Sequence, residues 1–429
     1  MTKDTKQFIA FKQPATVWCV FLSLLLPVLS FATDSELPNL SVRGFGTLGT
    51  VHSSSNQFDY VRDISQPDGA RGNWSSSVDS MLGIQTNYQI NSSLEAVVQA
   101  ISRQRYNGSY TPELSLAFLK YDVTPYLGLR LGRMGNEFYM LSDSRRIGYS
   151  SLLVRPPVEF YGFLAFYSFD GADLAITLPT SNGVLKAKVF AGVTGGKLPT
   201  SAAGNPETRI WDMSRSPMLG GYLDYTQGSW QLRATVSQLK FAQSFPAAEI
   251  DSGLRQSGVT QAALAADALN VKNRRVQYYS MGAIYENGSF QSQLMFSRTV
   301  HESVAFENTD AAYGLLAYRL SAWTPYAGYS TARSKPKNVS TGLADYYGYP
   351  GGGDLRILDA AVRSALDGSH ISQSTTFAGV RWDFRSNAAL KLQWDSVRGS
   401  RGSNQVIQRE SVSSEAKTNV FSLILDLVF

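Results

Sequence analysis

The chain has one cysteine and three histidines in 429 residues. Cys19 falls in a leader expected to be removed, so the chain beyond it has neither a disulfide staple nor a thiolate for metal binding or catalysis. His52, His301 and His370 are scattered, all in segments read as exterior loops. No acidic pair, serine signature or ligand spacing accompanies them, which leaves catalysis and metal binding without a constellation. No cofactor is expected. Beyond Ala32 no apolar run approaches the roughly twenty residues that a membrane helix needs, which excludes a helical bundle in a bilayer. A dominant sign of charge is lacking too, with 39 Lys and Arg against 34 Asp and Glu, and no nucleic-acid partner is implied.

What is present begins with Lys3, Lys6 and Lys12 ahead of the apolar run from Val17 to Phe31, which Pro27 interrupts. The run is too short for a comfortable span, and Ser30 and Ala32 put small residues at the two positions that a signal peptidase reads. Residues 1–32 are therefore expected to be a cleaved signal peptide, and 33–429 a single exported domain.

At the other end, Phe421, Leu423, Leu425, Leu427 and Phe429 alternate with Ser422, Ile424, Asp426 and Val428. One wholly apolar face backed by a partly polar one suits a strand between lipid and water. The same alternation recurs along the chain: Leu127, Leu129 and Leu131 against Gly128, Arg130 and Gly132, and Trp230, Leu232, Ala234 and Val236 against Gln231, Arg233, Thr235 and Ser237. The polar set would line a water-filled lumen. Tight turns at 91–93, 124–126, 179–183, 227–229, 287–289, 321–323 and 385–387 alternate with loops of ten to forty residues. Tyr126, Trp230, Trp323 and Tyr326 beside these turns suit an interfacial girdle. The pattern predicts an all-β fold: a transmembrane, antiparallel, up-and-down β-barrel of about 16 strands with short periplasmic turns and long extracellular loops. Pairing the strand near 40–51 with 418–429 would close it and remove both edges. Two loops are expected to carry helices, 257–270 and 354–366, the second capped by Asp354 and ended by Gly368, either as packed loop helices with no further role or as gating lids.

The segment 134–170 is long and rich in aromatics, follows a short strand ending near Arg133, and is expected to fold into the lumen. It contains Pro156-Pro157-Val158-Glu159-Phe160-Tyr161-Gly162. Here the chain resembles the general porins of Gram-negative bacteria, whose third loop carries a Pro-Glu-Phe-Gly-Gly-like motif and narrows the pore. Val158 separates Pro157 from Glu159, and Tyr161 stands where the motif has its first Gly. The terminal Phe429 looks like the family's assembly signal, and the strand count agrees along the whole expected domain. The resemblance implies a passive channel for ions and small hydrophilic solutes in the outer membrane, surrounded by lipid, inserted by the barrel-assembly machinery, and trimeric.

A narrow water column between low-dielectric walls focuses the field of a few fixed charges. By alternation Arg43, Arg103, Arg130, Arg233 and Arg381 point inward, and Arg130 is expected nearest the narrowest point because its strand ends where the loop enters. In the porins that the chain resembles, acidic loop residues face a basic wall, a role that falls to Glu137, Asp143 and Glu159, with Glu159 facing Arg130. Arg145, Arg146 and Arg155 on the same loop depart from that pattern, and Glu95, Asp173, Asp383, Asp395 and Asp426 add acid to the wall, so no single sign dominates. Two other classes stand beside the general pore. A substrate-specific channel for a sugar, aromatic acid or anion would use Tyr106, Tyr110, Tyr139, Tyr149, Phe160 and Tyr161 as a track. An outer-membrane barrel enzyme has only the scattered histidines in its favour.

Overall fold

The computed structural model describes residues 39–429 except 58, 165, 202–207, 401–406 and 409–414. The expected signal peptide lies outside the described residues. Sixteen long strands stand among those described: β1 (Leu40–Ser53), β2 (Met81–Asn91), β3 (Leu94–Arg103), β4 (Glu113–Thr124), β5 (Leu127–Gly135), β6 (Ser168–Pro179), β7 (Val184–Thr194), β8 (Ser216–Gln227), β9 (Trp230–Lys240), β10 (Arg275–Asn287), β11 (Phe290–His301), β12 (Asn308–Tyr318), β13 (Trp323–Lys335), β14 (Ser372–Arg385), β15 (Ala388–Gly399) and β16 (Ala416–Val428). Each pairs antiparallel with its chain neighbours, and β1 also pairs with β16 from Phe45 opposite Val428 to Ser53 opposite Val420. The sheet closes and leaves none of the sixteen strands with an open edge, the condition for crossing a bilayer with strands.

All seven short turns fall where turn chemistry places them. Gly228 and Gly288 adopt φ +55° and +59°, left-handed positions that a side chain would strain. The outward face carries an apolar belt, with Val42, Leu131, Val189, Met281, Leu294 and Leu316 all exposed, and ion pairs such as Arg133–Asp170 and Arg298–Asp310 stand on it only toward the long-loop end. A belt of that extent has no stable place in water. Tyr126, Trp230 and Trp323 are half exposed beside the turns, as a girdle requires. Tyr326 is not part of it. Its strand turns even-numbered residues inward, and its hydroxyl donates to Gln393 at 2.9 Å inside the barrel.

The lumen differs from a uniformly polar column. Phe190, Tyr222, Leu239, Tyr278, Met295 and Tyr313 face inward from β7 to β12 and pack on Phe138, Tyr139, Met140, Phe160 and Tyr161 of the loop after β5. Alternation marks which side chains point inward. What they meet there depends on an insertion distant in sequence, and apolar partners make an inward aromatic dry.

Four helices stand among the described residues: α1 (Val158–Tyr161), α2 (Ala248–Gln256), α3 (Thr260–Leu269) and α4 (Gly352–Asp367). The segment expected as one helix over 257–270 is the second of a pair, α2 and α3. Leu254, Ala262, Ala266, Leu343 and Val362 form a small core outside the barrel, so the long-loop helices pack together. α2 has poor intrinsic propensity, with Gly253 inside it, but a side chain there would stand 3.0 Å from Leu358 of α4, so the glycine serves tertiary packing. Asp354 does not cap α4. The N-cap is Gly351, at φ +83°, and Asp354 sits in the first turn, where the helix dipole favours its charge. Gly368 is the C-cap, as read. Of the three histidines, His52 and His301 lie at strand ends and only His370 in a loop.

Candidate pore constriction and its charge networks

The loop between β5 and β6 crosses the lumen and is pinned to the opposite wall. Gly148 passes so close to β1 and β16 that a Cβ there would stand 2.1 Å from Asp426 Oδ1 and 2.4 Å from Thr47 Oγ1. Lys391 on β15 donates to the carbonyls of Gly148, Ser151 and Leu153 at 2.8, 2.6 and 3.1 Å and pairs with Asp426 at 2.8 Å. Arg381 donates to the carbonyls of Tyr149 and Ser151 at 2.8 and 2.9 Å. The loop backbone thus supplies further acceptors to wall cations that each already hold one carboxylate, Asp426 for Lys391 and Asp383 for Arg381.

Three of the loop arginines are buried, and each for a different reason. Arg155 pairs with Asp79 at 2.6 Å and Asp395 at 3.2 Å, donates to Ser422 Oγ at 2.6 Å, and shares Asp79 with Arg62. Arg146 pairs with Glu113 at 2.8 Å, a carboxylate that also takes Arg103 at 3.4 Å. Arg145 donates to the carbonyls of Leu164 and Phe166 at 3.2 and 2.7 Å and has no ion-pair partner among the described residues. The guanidinium carbons of Arg146, Arg145 and Arg103 lie 3.2, 4.0 and 4.8 Å from the centre of the Tyr167 ring, whose negative face draws all three.

Arg130 meets Asp173 at 2.5 Å and Glu137 at 2.9 Å; Lys188 meets the same Glu137 at 2.6 Å. Along the same wall Arg233 pairs with Asp224 at 2.6 Å and lies 4.2 Å from the Tyr222 ring. The row alternates in sign, with Arg130, Lys188 and Arg233 against Asp173, Glu137 and Asp224.

Of the residues expected at the constriction, the structure therefore joins Arg130 to Glu137 and separates both from Glu159. Glu159 is 1% exposed and accepts from Ser330 Oγ at 2.5 Å, Gln373 Nε2 at 2.6 Å and Thr375 Oγ1 at 2.5 Å, on β13 and β14. It does not face Arg130 across water, because α1 turns it into the wall, where neutral donors solvate it. Asp143 is exposed beside Gly135. Arg43 is exposed on β1 near the short-turn end, opposite Gln85 and away from the loop. Of the proposed aromatic track, Tyr139, Phe160 and Tyr161 are packed against one another in the core, Tyr161 edge to face with both others, rather than lining a path. Sequence reading overlooked Lys188 and Lys391, although the parity rule that selected the inward arginines applies to lysines too. Asp79, Asp63 and Tyr167 lie outside the strands, where parity says nothing.

Closure, strand number and the inturned loop define a porin-type barrel. No family model matches the chain, and no curated protein matches it in sequence. Its fold is similar to that of the anion-selective porin from Comamonas acidovorans, at 10% identity and TM-score 0.52 over 91% of this chain and 100% of that one. It is also similar to the outer membrane channel DcaP of Acinetobacter baumannii, at 12% and 0.51 over 93% and 100%. A third is the trimer form of OmpT, an outer membrane protein of Vibrio cholerae, at 14% and 0.51 over 91% and 100%. At such identities the shared property is the fold.

Proposed function

We propose that the barrel is an outer-membrane channel through which ions and small hydrophilic solutes diffuse passively, without catalysis or cofactor. The observation that carries this reading is the loop laid across a closed barrel beside the alternating row of Arg130, Asp173, Glu137 and Lys188, with Arg130 and Arg233 partly wetted. A charged row inside a low-dielectric wall acts on passing ions and not on folding alone. The apolar core bounds the route on its other side, which makes it narrow. Equal numbers of cations and carboxylates in the row make selectivity a matter of position. In this reading Arg130 and Glu137, which pair at 2.9 Å, act at the constriction; Arg145, Arg146, Arg155 and Glu159 shape the loop, while Arg103 and Arg43 stand toward the two mouths.

The reading includes removal of residues 1–32, insertion by the barrel-assembly machinery with Phe429 as its signal, lipid around the belt and a homotrimer, the form in which one neighbour of like fold is described. Reconstitution in planar bilayers tests the channel. Small, ohmic, single-channel steps are expected. A folded, heat-modifiable barrel that passes no current would sink the proposal.

A further inference from the structure

Between the inturned loop and β8 to β12 lies a cavity of about 430 Å³. Thr226, Trp230 and Glu286 mark its rim at the short-turn end and are exposed, while Arg145, Tyr161 and Tyr313 at its inner end are buried. Leu141, Leu152, Leu153, Pro156, Pro157 and Ile284 give it apolar walls. Serines, glutamines and Arg145 make up much of the remaining lining, so an apolar wall and convergent polar groups share one chamber, a form that small-molecule sites take.

Its inner cation is under-partnered. Nη2 of Arg145 is satisfied by two carbonyls, but Nε and Nη1 have no hydrogen-bond partner. The carboxylate nearest the cluster in use, Glu113, is taken by Arg146 and Arg103, and Asp63 accepts from Ser65 and Tyr167. Three guanidinium groups thus stand against two carboxylates, Glu113 and Asp63, which leaves one positive charge over in a buried place, a costly arrangement unless an anion completes it. The rim carboxylate, Glu286, is exposed, and salt screens it from the interior. Polar groups for orientation are at hand in Gln293, which accepts from Tyr313 at 3.1 Å, and Gln231.

We propose that this cavity binds a small organic monoanion with an apolar body, its acidic group on Arg145 and its body against Leu141, Leu152 and Pro157. The inference rests on the channel reading for the solute's arrival, but binding is measurable without current. A chamber of this size suits a single-ring carboxylate, and a body held in its apolar part places the charge at the inner end.

The test is isothermal titration of the detergent-folded protein with benzoate, with acetate and benzyl alcohol as probes lacking the body or the charge. Benzoate is expected to bind at least about tenfold more tightly than either. Arg145→Gln should remove that advantage, and Leu152→Trp, which fills the chamber and leaves the arginine cluster untouched, should abolish binding of benzoate altogether. Equal affinity for benzoate and benzyl alcohol, absence of benzoate binding in the unaltered protein, or full binding in a folded Leu152→Trp barrel would each overturn the proposal. Failure of binding with current intact rejects the site alone; binding without current rejects the channel reading and leaves the site.

Discussion

The ring of Phe429 occupies the space that a side chain on Gly44 would need, since a Cβ there would stand 2.0 Å from Phe429 Cε2. The two residues also exchange backbone hydrogen bonds, Gly44 N–H to Phe429 O at 2.6 Å and Phe429 N–H to Gly44 O at 2.9 Å. The last residue thus finishes the closing seam between β1 and β16. Gly44→Val and deletion of Phe429 should both lower the yield of folded barrel, with unchanged single-channel conductance in the molecules that assemble. Heat-modifiable mobility in gels reads the yield, and wild-type yield in both variants would remove the seam contact from assembly.

At Gly148 the loop backbone lies against the far wall. Gly148→Val would force its Cβ into Asp426 and Thr47, which cannot both retreat without breaking their 2.6 Å hydrogen bond. The loop should lift, raising single-channel conductance and protease sensitivity between Gly135 and Ser168. Unaltered conductance would mean that the loop does not bound the path.

Charge should act by position. Arg130→Glu is expected to move the reversal potential under a salt gradient toward cations, and Glu137→Gln toward anions. Glu159→Gln should leave it unchanged, since that carboxylate is withdrawn into the wall, and should instead cost about 1–3 kcal/mol of stability by disturbing three buried hydrogen bonds. A reversal shift in Glu159→Gln equal to that of Glu137→Gln would contradict the placement of both.

Arg155 holds the loop to Asp79 and Asp395 with almost no exposure. Removing it leaves the buried Asp395 without a cation and Asp79 with Arg62 alone, so Arg155→Gln should destabilise the barrel by about 3–5 kcal/mol. Urea unfolding followed by tryptophan fluorescence measures this, and a loss within the error of the fit would show that water reaches the pair.

The exterior helices should loosen in acid. Burial works against the charge of Asp359, but the hydroxyls of Thr341 and Tyr347 and the guanidinium of Arg363 outweigh it and hold this carboxyl below its ordinary value of 3.8. A lowered pKa in the folded state means stability that is present above the unfolded value and is lost as pH falls through the folded one. Hydrogen exchange in α4 should therefore rise below about pH 4, the ordinary carboxylate range, and Asp359→Asn should show the faster exchange already at neutral pH, with the difference from wild type shrinking in acid. An α4 equally protected at neutral and acid pH would count against the role of Asp359.

Local chemistry determined most of the barrel. The period of two placed every strand to within a few residues, because a chain that meets lipid on one side and protein or water on the other must alternate, and Gly, Asn and Pro marked the short turns because few residues fit them. Arg130 and Arg233 were legible as inward for the same reason. What faces an inward side chain was not. Glu159 sits in a motif that suggests an acid in the pore, yet α1 delivers it to Ser330, Gln373 and Thr375, residues 171 to 216 positions away. Whether an inward tyrosine is wet or dry, whether a loop arginine meets a carboxylate or, like Arg145, does not, and which helices pack outside the barrel all depend on long-range juxtaposition. Those contacts form only once the sheet has closed and the loop has been drawn across it, so tertiary structure alone decided them.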